Sequence, residues 1–320
     1  MKTIAVVAHY DVNGIADDYL IPLFEKLSEV CDKIVIVTTS GIDEPSKSKI
    51  SALGDIQIIK RDNVGYDFLS YKVGINSITD LYLYDRLLVL NDSFYISERF
   101  DLKNIILQSE NKDIFGITST NQFRFHVQSY FLIFNKKAIL SYWFFHFWNG
   151  VFSYKGKMKI IFEYEMGLTS SALKHGLTVG SALSFNHNEN PCHKNVEQLF
   201  QAFGMVKIDV LRNNISYFDI SKFSHSNIIK NHLTRTTSSY SNRNLSYGQN
   251  VQAGDNFFEF THISENWTDV AVILHVFYPD ISAEMSEFLT KIPFNIDVFI
   301  TTPEESYIPG LLDVFKGISN

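Results

Sequence analysis

Four short apolar runs alternate with amphipathic stretches over the first 90 residues. The runs lie at residues 4–8, 33–38, 55–60 and 86–90. Such uninterrupted runs are typical of strands buried on both faces. Residues 17–30 and 66–78 carry apolar side chains on one helix face and predict helices. Strands that alternate with helices predict a mostly parallel, Rossmann-type α/β sheet with flanking helices.

The middle of the chain mixes further strand and helix patterns. Residues 114–118 and 129–134 predict strands, and residues 161–173 predict a helix. The aromatic stretch 142–148 is interrupted by His146 and is much shorter than the ~18 apolar residues of a membrane span. It therefore predicts a buried or interfacial helix.

The last third changes character twice. Residues 221–266 are polar and locally basic, which favours a linker, with a flap or a contact to an anionic membrane surface as the alternative. Beyond them, residues 271–275 and 297–303 echo residues 5–9 and 32–40. The pattern predicts a domain at 1–220, a linker at 221–266, and the start of a repeat-related partial βαβ unit at 267–320.

Charge and cysteine content narrow the class of protein. The net charge of -7 and the pI of about 5.8 argue against a nucleic-acid-binding protein. Two cysteines form no disulfide framework and no signal-peptide pattern is present, so the expected location is cytoplasmic. Most of the 27 Phe and 16 Tyr are expected to fill the core. Tyr10, Tyr66 and Tyr130 instead follow or begin strands, where they would meet a base or sugar.

Ligands of a parallel sheet bind beyond the carboxyl ends of its strands. At that edge the first predicted strand is followed by His9, Tyr10 and Asp11, and the second ends at Thr38. These residues are candidates for contact with the base of a nucleotide.

Asn91, Asp92 and Ser93 directly follow the fourth predicted strand. Sugar-nucleotide transferases of the GT-A type place an Asp-x-Asp or related motif there, whose carboxylate holds a divalent cation against the donor diphosphate. Here only Asp92 is acidic. The sequence predicts Asp92 near a diphosphate, directly or through Mg²⁺ or Mn²⁺, with a polar turn as the alternative.

A polar segment follows the third predicted strand and contains the candidates Arg61, Asn63, Gly65, Tyr66 and Asp67. Gly65 permits close backbone approach, and Arg61 has two donors for a phosphate. GT-A transferases often carry an Asn-x-Gly segment here that contacts the nucleotide. A plain glycine turn is the alternative reading.

Polar residues also precede the aromatic strand 129–134. His126, Gln128, Ser129 and Tyr130 suit a grip on the hydroxyls and one face of a donor or acceptor sugar. A metal site is disfavoured, because no second His or Cys lies at ligand spacing. The alternative for His126 is a structural histidine.

Two carboxylates, Glu163 and Glu165, lie on the helix predicted at 161–173. At i, i+2 spacing they do not face each other, so at most one points into a site. Glu165 is the candidate for the general base that takes the proton of an acceptor hydroxyl. A solvated helix face is the alternative.

Together these segments resemble the rhamnan synthesis protein F family of bacterial polysaccharide glycosyltransferases. The resemblance spans roughly residues 4–215 and rests on five segments in order, at residues 9–11, 61–67, 91–93, 126–132 and 164–169. A downstream segment, residues 275–279, resembles the His-x-Phe/Tyr-Tyr-Pro pattern of family members.

The resemblance implies a GT-A-like fold and transfer of a deoxyhexose with inversion. The implied donor is dTDP-β-L-rhamnose, and the acceptor is a glycan or lipid-linked oligosaccharide of a cell-surface polysaccharide such as O-antigen, capsule or rhamnan. Such acceptors imply peripheral contact with the inner face of the cytoplasmic membrane. Two other classes stay open: a non-catalytic glycan-binding or scaffold half of a larger synthase, and a sugar nucleotidyltransferase. The second is disfavoured, because no glycine-rich loop follows Ala8.

Overall fold

The structure is a computed structural model that describes residues 1–154, 157–187, 189–236, 270–276, 278–290, 296–316 and 318. The chain divides into two compact units, Met1–Asn250 and Val251–Asn320. Most of the predicted linker, from residue 237 on, lies outside the described residues.

The strands of the first unit begin and end close to the predicted apolar runs. In chain order they are β1 (Thr3–His9), β2 (Lys33–Thr38), β3 (Ile56–Lys60), β4 (Arg86–Asn91), β5 (Phe94–Ile96), β6 (Ile114–Thr120), β7 (His126–Val127), β8 (Phe131–Asn135), β9 (Val179–Phe185) and β10 (Met205–Lys207).

Helices connect these strands and cover both faces of the sheet. They are α1 (Ile21–Ser28), α2 (Glu44–Ser51), α3 (Tyr66–Asn76), α4 (Leu102–Gln108), α5 (Lys136–Ile139), α6 (Tyr142–Asn149), α7 (Lys157–Ile160), α8 (Met166–Lys174), α9 (Pro191–Lys194), α10 (Val196–Phe203), α11 (Ile208–Arg212) and α12 (residues 226–236). A π-helical turn, Ile161–Glu165, leads into α8 and falls within the helix predicted at 161–173.

The central sheet has the order β3-β2-β1-β4-β8-β6, with β7 and β9 also paired to β6. Strands β3, β2, β1 and β4 are parallel, β8 is antiparallel to its neighbours, and β9 is parallel to β6. This confirms the predicted α/β class with a mostly parallel sheet. The short strands β5 and β10 form a separate antiparallel pair.

The register brings the ends of the parallel strands to one edge. His9 at the end of β1 pairs with Thr38, Thr38 pairs with Lys60, and Ala8 pairs with Asn91. The loops selected from the sequence therefore leave the sheet side by side.

Successive residues of the buried strands point to opposite faces, as the period of two requires. On β1, Ala5 and Val7 join the core beneath α1 and α10, whereas Ile4 and Val6 join the core beneath α3, α6 and α8. Two apolar cores thus hold the sheet from both sides.

Two aromatic and polar segments differ in part from expectation. The helix α6, predicted as buried or interfacial, buries Trp143 and Trp148 and exposes Tyr142 and Phe145. The helix α12 lies inside the predicted linker, belongs to the first unit and packs on the rest of it through the fully buried Ile229. Among the described residues, no helix is long and apolar enough to cross a membrane.

The second unit contains β11 (Val270–His275), α13 (Ser282–Leu289), β12 (Ile296–Thr301) and α14 (Ile308–Phe315). Its two strands are parallel, and His275 pairs with Thr301 as His9 pairs with Thr38. The side-chain contact is repeated as well: Nδ1 to Oγ1 is 2.9 Å for His275–Thr301 and 3.0 Å for His9–Thr38. The predicted echo is therefore structural.

The contact between α3 and the sheet gives a test of the packing. A Cβ on Gly74 would overlap Val6 Cγ1 and lie 3.0 Å from Val37 Cγ2. We predict that Gly74→Ala lowers the free energy of unfolding by about 1–3 kcal/mol, because both neighbours are buried strand residues that cannot move away. Denaturant titration measures the change.

Gly167→Ala is the matched control, because the nearest atom to its added Cβ is Phe162 O at 3.7 Å. There the better helix propensity of alanine should leave stability unchanged or raise it by up to about 1 kcal/mol. Equal unfolding midpoints for Gly74→Ala and Gly167→Ala would contradict the close packing of α3.

Candidate active site

A cavity of about 390 Å³ opens at the carboxyl edge of the parallel strands. Its volume lies within the range of small-molecule sites. The predicted site residues that line it are Tyr10, Asp11, Tyr66, Asp67, Asn91, Asp92, Ser93, Gln128, Ser129, Tyr130 and Glu165. The loop after β1, the start of α3, the end of β4, the segment between β7 and β8 and the turn before α8 thus contribute to one pocket.

Glu165 faces this pocket from the π-helical turn and is held at both oxygens. Ser129 donates its backbone N–H, at 3.3 Å, and its hydroxyl to Oε2. His126 Nε2 lies 3.4 Å from Oε1. Burial alone would raise the pKa of Glu165, but the hydrogen bonds from His126 and Ser129 outweigh it and lower the pKa below its ordinary value. Glu165 is therefore a fixed, ionised carboxylate.

One hydrogen bond shows which ring nitrogen of His126 carries a proton. Its Nδ1 lies 2.8 Å from the carbonyl oxygen of Arg124, which can only accept, so Nδ1 carries a proton. Its Nε2 faces the Glu165 carboxylate. His126 lies behind Glu165 and does not line the pocket. Its place is that of a positioning residue.

Asp92 joins the loop after β4 to the loop after β1. Its Oδ2 accepts from the backbone N–H of Tyr10 at 2.9 Å, and its carbonyl accepts from the Tyr19 hydroxyl at 3.0 Å. Burial first, and then the nearby Asp67 carboxylate, raise the pKa of Asp92 well above its usual range. The two candidate acids, Asp92 and Glu165, therefore have pKa values shifted in opposite directions.

A directed chain of hydrogen bonds crosses the floor of the pocket. Lys207 Nζ donates to Ser93 Oγ, and Ser93 donates to Asn91 Oδ1 at 2.5 Å. Asn91 Nδ2 in turn donates to Asp67 Oδ2 at 2.8 Å. Each group has one sensible direction of donation, so the chain fixes the Asn91 amide and links an ammonium to a carboxylate.

Gln128 and Tyr130 line another part of the pocket. Thr118 donates to Gln128 Oε1 at 2.8 Å, and Gln128 Nε2 donates to Asn190 Oδ1 at 3.1 Å. The Tyr130 hydroxyl lies 2.9 Å from Thr118 Oγ1. Both predicted residues line the pocket, but their outer polar atoms are already bonded within the protein.

The structure does not bring six of the predicted residues to the pocket lining: His9, Thr38, Arg61, Asn63, Gly65 and His126. Arg61 instead donates to Ser70 Oγ and to the carbonyls of its own loop at Asp62, Val64 and Tyr66. The guanidinium is thus occupied with shaping the segment 61–66. Gly65 has a φ of 70°, which favours glycine.

His9 and Thr38 are buried behind the pocket. His9 Nε2 lies 3.2 Å from the Ile15 carbonyl, so the proton is on Nε2, and Nδ1 faces Thr38 Oγ1. Burial lowers the pKa of His9 to about 4, so it is neutral at pH 7. Both residues close the ends of β1 and β2.

Sequence reasoning missed the contribution of α12. His232 and Thr236 from this helix line the pocket, as does Tyr19, which packs on the His232 ring at 4.3 Å. Arg235 donates to Asp11 Oδ2 and Asp17 Oδ2, both at 2.6 Å. Because α12 lies more than 200 residues from Asp11 in sequence, no local pattern predicted this contact.

The residues near Asp92 offer few donors for the expected Mg²⁺ or Mn²⁺. Within the described part of the chain, no three His, Cys, Asp or Glu side chains are grouped as a metal site requires. Asp92 and Asp67 each already accept a hydrogen bond on one oxygen. This set does not fit a cation held by the protein alone, and entry of a metal with the donor stays a prediction.

The Arg235 contact gives a pH-dependent test. Burial raises the pKa of Asp11, but hydrogen bonds and charge from Arg235 outweigh it and lower the pKa. We predict that Arg235→Ala lowers the free energy of unfolding by about 2 kcal/mol at pH 7, because two carboxylates lose their shared cation.

A carboxylate with a depressed pKa contributes stability above its unfolded pKa and loses it as pH falls. The difference between wild type and Arg235→Ala should therefore shrink as pH falls towards and below about 3.9, the ordinary aspartate value. Thermal unfolding across pH measures it, with Lys230→Ala on the exposed face of α12 as the control. A gap that is independent of pH would contradict the ionic origin.

Comparison with known proteins places the chain in a family. The rhamnan synthesis protein F family matches residues 34–309. The y4gN protein of Sinorhizobium fredii is 26% identical over 220 residues, which is 67% of this chain and 54% of that protein. The virulence protein VirA of Vibrio anguillarum is 36% identical over 109 residues, 33% of this chain and 34% of VirA. The chain thus aligns with about half and about a third of these relatives' lengths.

Among solved structures, a putative nucleotide-diphospho-sugar transferase from Desulfovibrio desulfuricans G20 is similar at a TM-score of 0.40 and 13% identity. The alignment covers 74% of this chain and 99% of that one. The family match, in contrast, extends over most of the sequence, including four of the five segments singled out above and the strands β11 and β12 of the second unit. The chain belongs to the rhamnan synthesis protein F family.

Proposed function

We propose that this chain is a glycosyltransferase that moves a sugar from a nucleotide donor onto the precursor of a cell-surface polysaccharide. The proposed sugar is a deoxyhexose, L-rhamnose from dTDP-β-L-rhamnose. Family membership supports the coarse activity. The single structural observation that carries it is Glu165, an ionised carboxylate held by two partners and facing a pocket at the carboxyl edge of the sheet.

The chemistry assigns Glu165 the role of general base. The oxygen of an acceptor hydroxyl attacks C1 of the donor sugar, and its proton passes to a Glu165 carboxylate oxygen. The bond between C1 and the leaving phosphate oxygen breaks, and its electron pair stays on the diphosphate. Attack from the face opposite the leaving group inverts C1, so a β-L-linked donor gives an α-L-linkage.

Aromatic side chains and backbone groups would hold the two substrates. Tyr10, whose backbone N–H donates to Asp92, lines the pocket together with Tyr66, and the base and diphosphate of the donor are proposed to bind beside Asp92. Ser129, which donates to Glu165, marks where the acceptor hydroxyl must lie. The flat, half-polar rings of the tyrosines in the lining suit contact with a base or a sugar face.

The proposed acceptor is a glycan or lipid-linked oligosaccharide, which implies peripheral contact with the cytoplasmic face of a membrane. The exposed aromatic residues Tyr142 and Phe145 on α6 are compatible with such contact. This part of the proposal rests on the family's pathway class and is separate from the chemistry at Glu165.

Removing the proton-accepting group gives the sharpest test. We predict that Glu165→Gln lowers turnover by about 10²- to 10⁴-fold and leaves the affinity for the donor within a factor of about two, because the amide cannot take a proton. Turnover is measured by release of the nucleoside diphosphate, and donor affinity by calorimetry.

Glu163→Gln is the matched control, because Glu163 is two residues away, exposed and outside the pocket lining. It should keep wild-type turnover. Normal turnover in Glu165→Gln, or equal loss in both variants, would remove Glu165 from the role of base. In wild type, the acid limb of kcat/KM should lie below the ordinary glutamate range, since the pKa of Glu165 is lowered.

A panel of substrates separates the proposed enzyme from its alternatives. With dTDP-β-L-rhamnose alone, we expect slow hydrolysis that releases dTDP, and little release from dTDP-glucose or UDP-glucose. A sugar nucleotidyltransferase would instead release pyrophosphate from dTTP and a sugar 1-phosphate. Binding of a glycan with no consumption of any nucleotide sugar would identify a scaffold and refute the proposed transfer.

A further inference from the structure

Lys207 was not singled out by the sequence, yet its ammonium group lies in the candidate pocket. It ends β10, which pairs with β5 so that Lys207 lies opposite Phe94, directly after the Asn91-Asp92-Ser93 segment. Its Nζ donates to Ser93 Oγ and lies 4.8 Å from the centre of the Tyr130 ring. The lysine is thus fixed beside the Asn91-Asp92-Ser93 segment, where the proposed function puts the donor diphosphate.

The two groups in direct contact with the Lys207 ammonium, the Ser93 hydroxyl and the Tyr130 ring, are uncharged. Among the described residues, no carboxylate oxygen forms an ion pair with its Nζ within 4.0 Å, whereas Lys137 and Lys222 elsewhere in the first unit have such partners. A hydroxyl and an aromatic face are weaker partners for an ammonium than a carboxylate or phosphate is. A half-buried cation of this kind is suited to an anionic ligand.

The surrounding carboxylates show why a fixed cation is required. Asp11, Asp67, Asp92, Glu165 and Asp209 all line the same pocket, and so does the cation Arg212. A nucleoside diphosphate brings further negative charge into it. A counter-charge close to the diphosphate reduces this repulsion and stabilises the departing group. The donor set near Asp92 does not fit a metal held by the protein alone, which makes the Lys207 ammonium, bonded to Ser93 beside Asp92, the candidate for that charge.

We propose that the Lys207 ammonium binds the donor diphosphate and stabilises it as it leaves, in the place where GT-A transferases commonly use a divalent cation. This inference rests on the proposed function, since it assigns the diphosphate subsite of that same pocket. A preorganised cation in a low-dielectric pocket acts without reorganisation at the moment the bond breaks. The link through Ser93 and Asn91 to Asp67 holds the ammonium in place.

The test compares a nucleoside diphosphate with its nucleoside. Lys207→Met should weaken dTDP binding about 10- to 100-fold, as loss of a charge-assisted hydrogen bond predicts, and leave thymidine binding unchanged. Lys207→Arg, which keeps the charge, should recover part of the affinity. Lys174→Met, at an exposed lysine outside the pocket lining, should bind both ligands as wild type does. Calorimetry and a thermal unfolding curve for each variant complete the set.

Chelation supplies a second measurement that needs no variant. Wild-type affinity for dTDP should change by less than about twofold between a buffer that contains EDTA and one that contains MgCl₂, since Lys207 supplies the charge. A large gain with Mg²⁺ or Mn²⁺ would show that a metal does this work and overturn the proposal. So would equal dTDP affinity in Lys207→Met and wild type.

Failure of the proposed function is a separate outcome. If the wild-type chain binds none of dTDP, UDP, GDP and CDP, the nucleotide-donor assignment fails and the Lys207 proposal fails with it. If wild type binds one of them and Lys207→Met binds it equally, only the Lys207 proposal fails. An equal loss of diphosphate and nucleoside binding in Lys207→Met would indicate a structural role and would also refute it.

Discussion

The parallel register of β1 with β2 and β4 is the constraint on which the site depends. It ends three buried strands at one edge, so that His9, Thr38 and Asn91 are neighbours. Since the strands are apolar throughout, polar groups first appear where the chain leaves the core. A one-residue slip would move every side chain to the other face of the sheet. The close packing of the two apolar cores opposes that slip and so fixes where the strands end at the pocket.

Within the pocket, local contacts give two similar acids opposite properties. Glu165 keeps its charge because donors from His126 and Ser129 outweigh its burial. Asp92 has one backbone donor and faces Asp67, so burial dominates and favours its neutral form. Separation of two carboxyl pKa values is the usual arrangement in sites that move protons. The proposed base therefore lies at the π-helical turn, and Asp92 after β4 joins two loops next to the proposed diphosphate site.

The sequence predicted what depends on local pattern. The buried strands were predicted because their apolar runs are uninterrupted. Helix geometry indicated that at most one of Glu163 and Glu165 points into a site, which the exposure of Glu163 agrees with. Contacts made across long stretches of chain had no such signal. Polar composition predicted a linker at residues 221–266. The structure instead has α12 there, packed on the rest of the first unit through the fully buried Ile229. Arg61, read as a phosphate ligand, has donors that its own loop satisfies.

The second unit repeats part of the fold of the first unit. It reproduces the parallel strand pair and the His–Thr hydrogen bond of the first unit. In the first unit that bond is buried behind the pocket, whereas His275 and Thr301 are exposed. The His–Thr pair therefore closes the ends of two parallel strands and does not by itself make a site. The proposed chemistry of the first unit depends on two residues that reach the same edge from far along the chain, Glu165 and Lys207, while Arg235 fixes the loop after β1 there.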